Sequence, residues 1–149
     1  MINNKYKVDK VISEGSFGVV YKASYKERKY AIKCVTNNQT LKYEANIYKE
    51  LRKVNNIAKL KDYFIYKTYS YLVLELFELN LQDYKIRFVN SINYRNNLIK
   101  IIDKIIETLY HIHKTGIVHR DLKPSNICLT NNYEPYIIDF GLSKKIINN

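Results

Sequence analysis

The stretch between Asp121 and Asp139 leaves room for one small hairpin, which would return both carboxylates to one cleft. Earlier in the chain, Lys33 follows the apolar run Tyr30-Ala31-Ile32 on a segment that two neighbouring strands should cover. A lysine so placed wants an anionic partner. Glu44 offers one, because it lies near the middle of the apolar arc set by Leu41, Ile47, Tyr48 and Leu51, whereas Glu50 falls outside it. An ammonium held by a carboxylate on a buried face can present its charge to phosphate oxygens. The alternative is that both side chains snorkel into solvent. The segment Ile12-Ser13-Glu14-Gly15-Ser16-Phe17-Gly18-Val19-Val20 adds a turn whose glycines let backbone N–H groups approach a phosphate. A glycine-containing hairpin is also an ordinary turn.

Elements able to position these groups are legible from hydrophobic spacing. Val8–Ile12, Val19–Ser24 and Lys29–Val35 read as an antiparallel meander, with Lys26-Glu27-Arg28 as a turn. Leu41, Ile47, Tyr48, Leu51 and Val54 predict a helix from about Leu41 to Val54, with Thr40 as its N-cap. Strands follow around Lys59–Tyr66 and Tyr69–Leu76. In a second helix Leu98, Ile101, Ile102, Ile105, Leu109 and Ile112 share one arc, with Lys100, Asp103, Lys104 and Glu107 opposite and Gly116 at its end. Beyond it, short apolar runs broken by Pro124 and Pro135 read as loops and small strands.

Composition bounds the rest. The chain has 149 residues, 46% of them hydrophobic, enough for one domain with a true core and room for two lobes. Its formal charge of +11 is spread along the chain, so it forms a diffuse field that favours acidic or phosphorylated partners. No recognition motif accompanies that charge, so a specific nucleic-acid role is not expected. Ile, Lys, Asn and Tyr, at 20, 20, 17 and 15 residues, reflect the bias of an AT-rich genome. Cys34 and Cys128 match no metal or redox spacing. Residues 1–9 are polar, and no apolar run is long enough to span a bilayer. A soluble, cytoplasmic protein without a membrane partner is the expectation.

The segment His119-Arg120-Asp121-Leu122-Lys123-Pro124-Ser125-Asn126, followed by Asp139-Phe140-Gly141, matches the catalytic-loop and metal motifs of protein kinases at every fixed position. From about Tyr6 to Lys145 the chain resembles the eukaryotic protein-kinase superfamily, and within it casein kinase I. That branch is suggested by Glu14-Gly15-Ser16-Phe17-Gly18, the short step from Lys33 to Glu44, Tyr43-Glu44 before Ile47-Tyr48-Lys49, Leu79–Asp83, and Ile138–Lys145. Ser13 departs from the pattern by replacing the first glycine of the phosphate loop.

The resemblance implies an α+β fold: an N-lobe over residues 1–76 with a five-stranded antiparallel sheet and one helix, then an incomplete, mostly helical C-lobe over 77–149. It implies a Ser/Thr kinase using ATP and Mg²⁺, Lys123 being the Ser/Thr-type choice. Asp121 would take or orient the substrate hydroxyl proton, and Lys123 would neutralise charge on the transferred phosphoryl. Asn126 and Asp139 would hold magnesium, while Lys33, oriented by Glu44, would hold the α- and β-phosphates. Gly15, Ser16 and Gly18 would line the phosphates. Ile12, Val20, Ala31 and Cys128 would sandwich adenine, with Leu74 behind it and the backbone of Glu75 and Phe77 at its edge. Asp83 or Asn80 would meet the ribose. The pattern stops just after Asp139, so a truncated chain is expected, with an exposed apolar face that a protein partner could cover. A feebly active decoy or regulator of another kinase is the alternative function.

Overall fold

A computed structural model describes residues 1–15, 18–36 and 39–146 of the chain. They divide into two compact units, the first comprising Met1–Lys49 and Lys59–Leu76, the second Glu50–Ala58 and the chain from Phe77 onward.

The first unit is a five-stranded antiparallel sheet with one helix. Its elements are β1 (Lys7–Gly15), β2 (Gly18–Tyr25), β3 (Arg28–Thr36), α1 (Gln39–Glu50), β4 (Leu60–Tyr66) and β5 (Tyr69–Glu75), and the sheet order is β1-β2-β3-β5-β4. Cross-strand partners share a face of a sheet, so the register sorts the side chains into two layers. Val20, Lys33 and Leu72 stand opposite one another, as do Lys22, Ala31 and Leu74. The alternate residues, Tyr21, Ile32 and Val73 together with Val19, Cys34 and Tyr71, point the other way. That second face carries the core cluster of Ala23, Ile32, Cys34, Tyr71 and Val73.

Residues 1–6, read from composition as polar, complete this cluster. Asn3 and Asn4 both adopt left-handed backbone, with φ of 49° and 50°. They turn the chain so that Ile2 and Tyr6 exchange backbone hydrogen bonds of 2.8 and 3.0 Å. Asn tolerates that conformation better than most residues. The turn lays Ile2 and Tyr6, 7% and 2% exposed, on the cluster. Lys26 and Glu27 close β2 to β3 with the same left-handed backbone and no glycine.

Helix α1 buries Leu41, Glu44, Ala45, Ile47 and Tyr48, the arc that spacing predicts. It opens at Gln39, so Thr40 lies inside its first turn rather than capping it, and it passes into a single 3-10 turn at Leu51–Lys53. Lys33 Nζ lies 2.8 Å from Glu44 Oε2 and donates to it, tying β3 to α1.

The second unit contains β6 (Leu79–Asn80), α2 (Leu81–Phe88), α3 (Tyr94–Lys114), β7 (Ile117–Val118), β8 (Ile127–Leu129), β9 (Pro135–Ile137) and β10 (Lys144–Lys145). Strands β6, β8 and β9 form one small sheet, and β10 pairs with β7. Helix α2 has the N-cap that its sequence supplies: Asn80 Oδ1 accepts from the Asp83 amide at 2.8 Å, and Asn80 Nδ2 donates to Asp83 Oδ2 at 3.0 Å. Helix α3 extends beyond the expected bounds. It buries Ile101, Ile105, Thr108 and Ile112, whereas Ile102, read from spacing as part of the same arc, lies with Ile99, Ile106 and Tyr110 in an exposed row. The apolar surface of α3 is wider than one packing face can cover. Gly116 ends the helix with φ of +77°, a conformation glycine adopts without steric cost. No helix among the described residues is long and apolar enough to cross a membrane.

The Lys33–Glu44 pair is enclosed, with side chains 18% and 2% exposed. Removing one partner of such a pair strands the other charge, so Lys33→Met should lower unfolding free energy by about 3 kcal/mol in urea titration. Lys33→Met combined with Glu44→Leu should recover most of that loss, and equal stability of wild type and single variant would contradict the pairing.

Candidate active site

The first unit supplies a face on which an ammonium and several small or apolar side chains share one layer. Val20, Ala31, Lys33 and Leu74 lie on the same side of the sheet by register. Lys33 is the charged member of this set, and Glu44 holds its Nζ at 2.8 Å, so the ammonium cannot wander as a solvated lysine would. The enclosure favours the ion-pair reading over snorkelling. Ile12 sits where the β1–β2 register shifts, between Val11 and Ser13, and is largely exposed.

The two glycines of the turn differ. Among the described residues, nothing beyond its chain neighbours stands within 4 Å of where a Cβ on Gly15 would lie. At Gly18 a Cβ would collide with the Cys34 carbonyl and the Val35 side chain, and φ is +105°. Gly18 is therefore demanded by strand packing, whatever else it contacts. Ser16 lies outside the described residues.

Glu75 closes β5. Its amide donates to the Lys59 carbonyl at 3.3 Å and its Oε2 accepts from the Lys59 amide at 3.0 Å, which fixes the end of the strand.

The second unit gathers the catalytic-loop residues around Asn126. Its Nδ2 donates to the Asp121 carbonyl at 2.9 Å and to Asp121 Oδ2 at 3.0 Å. Its main-chain oxygen accepts from the Ile138 amide at 3.0 Å. One residue thereby binds Asp121 and the residue preceding Asp139. Because the amide nitrogen is committed to Asp121, Oδ1 is the side-chain atom that can turn to a cation. Asn126 Oδ1 and the Asp139 carboxylate are hard oxygen donors, a set that fits magnesium and would suit a soft metal poorly.

His119, buried, braces the same segment. Its Nδ1 accepts from the Asp121 amide at 3.2 Å, so Nε2 carries the proton and donates to the Ile138 carbonyl at 2.9 Å. Its ring lies 4.8 Å from that of Phe140, which is fully buried. Arg120 and Asp139 both take left-handed backbone, with φ of 66° and 61°. Asp tolerates it better than most residues but Arg does not, and the surrounding bonds offset a cost of roughly 1–2 kcal/mol at Arg120. Arg120 Nε donates to the Leu142 carbonyl at 2.6 Å, and Ser143 Oγ donates to the Phe140 carbonyl at 2.7 Å. Strain concentrated at two residues of the same site is what functional loops store.

Lys123 Nζ lies 2.8 Å from Asp121 Oδ2. This ammonium, more than any other group, holds the Asp121 carboxyl below the usual carboxylate range, so it is ionised at neutral pH. Cys128, on β8, behaves oppositely: burial, with the Asp83 carboxylate adding, pushes its thiol up to about 12 and keeps it neutral. Phe77 stacks obliquely on Tyr136 with ring centroids 4.9 Å apart, and Asp83 is bonded to Asn80 in the α2 cap.

His119 and Asn56 carry structural work that motif reading did not assign. Asn56, left-handed at φ of 60°, donates through Nδ2 to the Pro135 carbonyl at 2.9 Å, and its own carbonyl accepts from Ile137 at 2.9 Å. It thus steadies the strand leading to Asp139. The Asn55-Asn56 pair, a turn signal, was the available hint.

Comparison with known proteins identifies the family of the chain. The protein kinase domain family matches residues 6–149. The chain is similar to a "probable casein kinase I homolog" of Encephalitozoon cuniculi, 31% identical over 145 residues that make up 93% of this chain and 45% of that protein. Calcium-dependent protein kinase 4 of Plasmodium berghei is 36% identical over 163 residues, 96% of this chain and 29% of its own length. Myosin light chain kinase A of Dictyostelium discoideum is 38% identical over 153 residues, 95% of this chain and 51% of its own length. The chain spans about half or less of the length of these relatives. With a match over nearly its whole length, the chain belongs to the protein kinase domain family.

Proposed function

We propose that this chain carries the nucleotide-binding and phosphoryl-transfer residues of a Ser/Thr protein kinase similar to casein kinase I, acting on ATP with Mg²⁺. The observation that carries the reading is the bonding of Asp121, whose carboxylate is held ionised by Lys123 and aimed by Asn126.

In this reading Asp121 accepts the proton of a substrate Ser or Thr hydroxyl as its oxygen bonds to the γ-phosphorus and the bond to the ADP oxygen breaks. Lys123 offsets charge on the transferred phosphoryl group. Lys33, held by Glu44, binds the α- and β-phosphates, with Gly15, Ser16 and Gly18 along them. Asn126 and Asp139 would hold magnesium, which would supply positive charge to offset that of the phosphates. Ile12, Val20, Ala31, Leu74 and Cys128 line adenine, the backbone of Glu75 and Phe77 meets its edge, and Asp83 or Asn80 meets the ribose. A neutral, half-buried Cys128 thiol suits an apolar base face. The +11 charge supports acidic or pre-phosphorylated protein substrates through steering. The resemblance of Glu14–Gly18 to casein kinase I and the similarity to the Encephalitozoon protein support that branch.

With radiolabelled ATP and an acidic serine peptide, the chain should transfer label to serine, and Asp121→Asn should reduce the rate by about 10²-fold or more. Equal, background-level signal from both proteins would sink the enzyme reading; nucleotide binding without transfer would instead favour a regulatory role.

The pH profile supplies a second check. Lys123 depresses the Asp121 pKa, so the active carboxylate persists as pH falls through the ordinary range near about 4. Lys123→Met should therefore move the acid limb of kcat/KM to higher pH, besides lowering the maximum. An unmoved limb would show that Lys123 does not set the ionisation of Asp121.

A further inference from the structure

β1 is exposed along its whole length, pairs among the described residues with β2 alone, and breaks register twice, between Val8 and Lys10 and between Val11 and Ser13. Such a strand has little burial to hold it, and local opening is governed by how little is buried. Yet β1 leads directly into the turn that the proposed function assigns to phosphate binding. Some other tie must limit its fraying.

That tie is at its start. Lys5 Nζ lies 2.8 Å from Asp62 Oδ2, and the Tyr6 hydroxyl donates to the same oxygen at 3.1 Å. Asp62 belongs to β4, and β1 and β4 are the two opposite edges of the sheet. The bonds therefore tie the segment just before β1 to the strand at the far edge of the sheet. Between those edges the Tyr6 ring meets Tyr25 of β2 at 5.6 Å, Tyr30 of β3 at 5.7 Å and Phe64 of β4 at 6.0 Å. Lys5 Nζ also sits 4.8 Å above the Tyr6 ring and 5.2 Å above that of Tyr25. The placement of Asp62 depends on an irregularity in β4. Leu60 pairs with Leu74 but Asp62 pairs with Val73, so the strand gains a residue at Lys61. Without that bulge Asp62 would fall opposite Leu72 and its carboxylate would face the Lys33 side of the sheet.

We infer that Lys5, Tyr6 and Asp62 form a strap that holds β1 against the sheet and so positions its Gly15 end for nucleotide phosphates. They are positioning residues, remote from the nucleotide itself. The assignment of the turn to phosphates rests on the proposed function; the strap's hold on β1 does not.

Amide hydrogen exchange of the full chain, read by strand, and the Kd for MgATP test this together. Tyr6→Phe keeps the ring and removes the hydroxyl, Asp62→Ala removes the shared acceptor, and Ile32→Val, a core change in β3, serves as the control for general destabilisation. Asp62→Ala should speed exchange in β1 by about tenfold, with β3 and β5 unchanged, and Tyr6→Phe should do so less. Both should weaken MgATP binding several-fold, Asp62→Glu should restore part of it, and Ile32→Val should speed all strands alike without that loss. Exchange in β1 that is unchanged, or that rises only in step with β3 and β5, overturns the strap. Selective opening of β1 with unaltered Kd overturns its positioning role. If the wild type itself binds no MgATP, the nucleotide reading and the positioning role fall together, while the exchange data still decide whether the strap holds β1.

Discussion

A carboxylate withdrawn from water must be matched by a cation, and Glu44 is withdrawn almost completely. Its match is Lys33. Because the pair joins the middle of β3 to the middle of α1, the helix must present the arc that carries Glu44 toward that face of the sheet. The same constraint sorts the strands: with Lys33 committed to the helix side, the alternation along β3 sends Tyr30, Ile32 and Cys34 to the opposite face. There they meet a layer that the chain supplies from its first six residues. One buried charge thus accounts for which face could receive an anionic ligand and which face is sealed with aromatic rings.

The second unit solves a different problem, that of holding polar side chains still where no regular element reaches them. Asp121 and Asp139 both lie outside helix and strand, and two residues of their segments, Arg120 and Asp139, stand in left-handed backbone. Such conformations persist only when neighbours over-determine them. Here Asn126, His119 and Asn56 do so through bonds to the peptide groups of Asp121, Ile137 and Ile138. The ionisation of Asp121 follows from the same compactness, since Lys123 lies two residues away with its ammonium on the carboxylate.

Much of this was legible in the sequence because the informative signals were contiguous. The catalytic loop, the metal motif, the five strands and α1 each declare themselves within a window of a dozen residues or so, where spacing and turn chemistry suffice. The parts that were not legible depend on contacts between distant residues. Ile2 and Tyr6 lie in a stretch that reads as polar, and only the surface assembled from four strands makes them core. The bulge at Lys61 leaves no mark on the alternation of β4. Left-handed Arg120 runs against its own preference, so propensity could only mislead there. Helix α2 is a different case: Asn80 followed by Asp83 is an N-cap signal in plain view, and the helix was too short for periodicity to register.

The central proposal is that Lys33 and Lys123 are each phosphate-binding lysines. An ATP carrying an acyl group on its terminal phosphate transfers that group to whichever lysine amine lies beside the phosphates, and the chain offers twenty lysines to choose from. Peptide mapping after such labelling should find Lys33 and Lys123 modified, with excess MgATP suppressing both and leaving sparse surface labelling unchanged. Labelling scattered over the other lysines, or at these two without competition by MgATP, would contradict it.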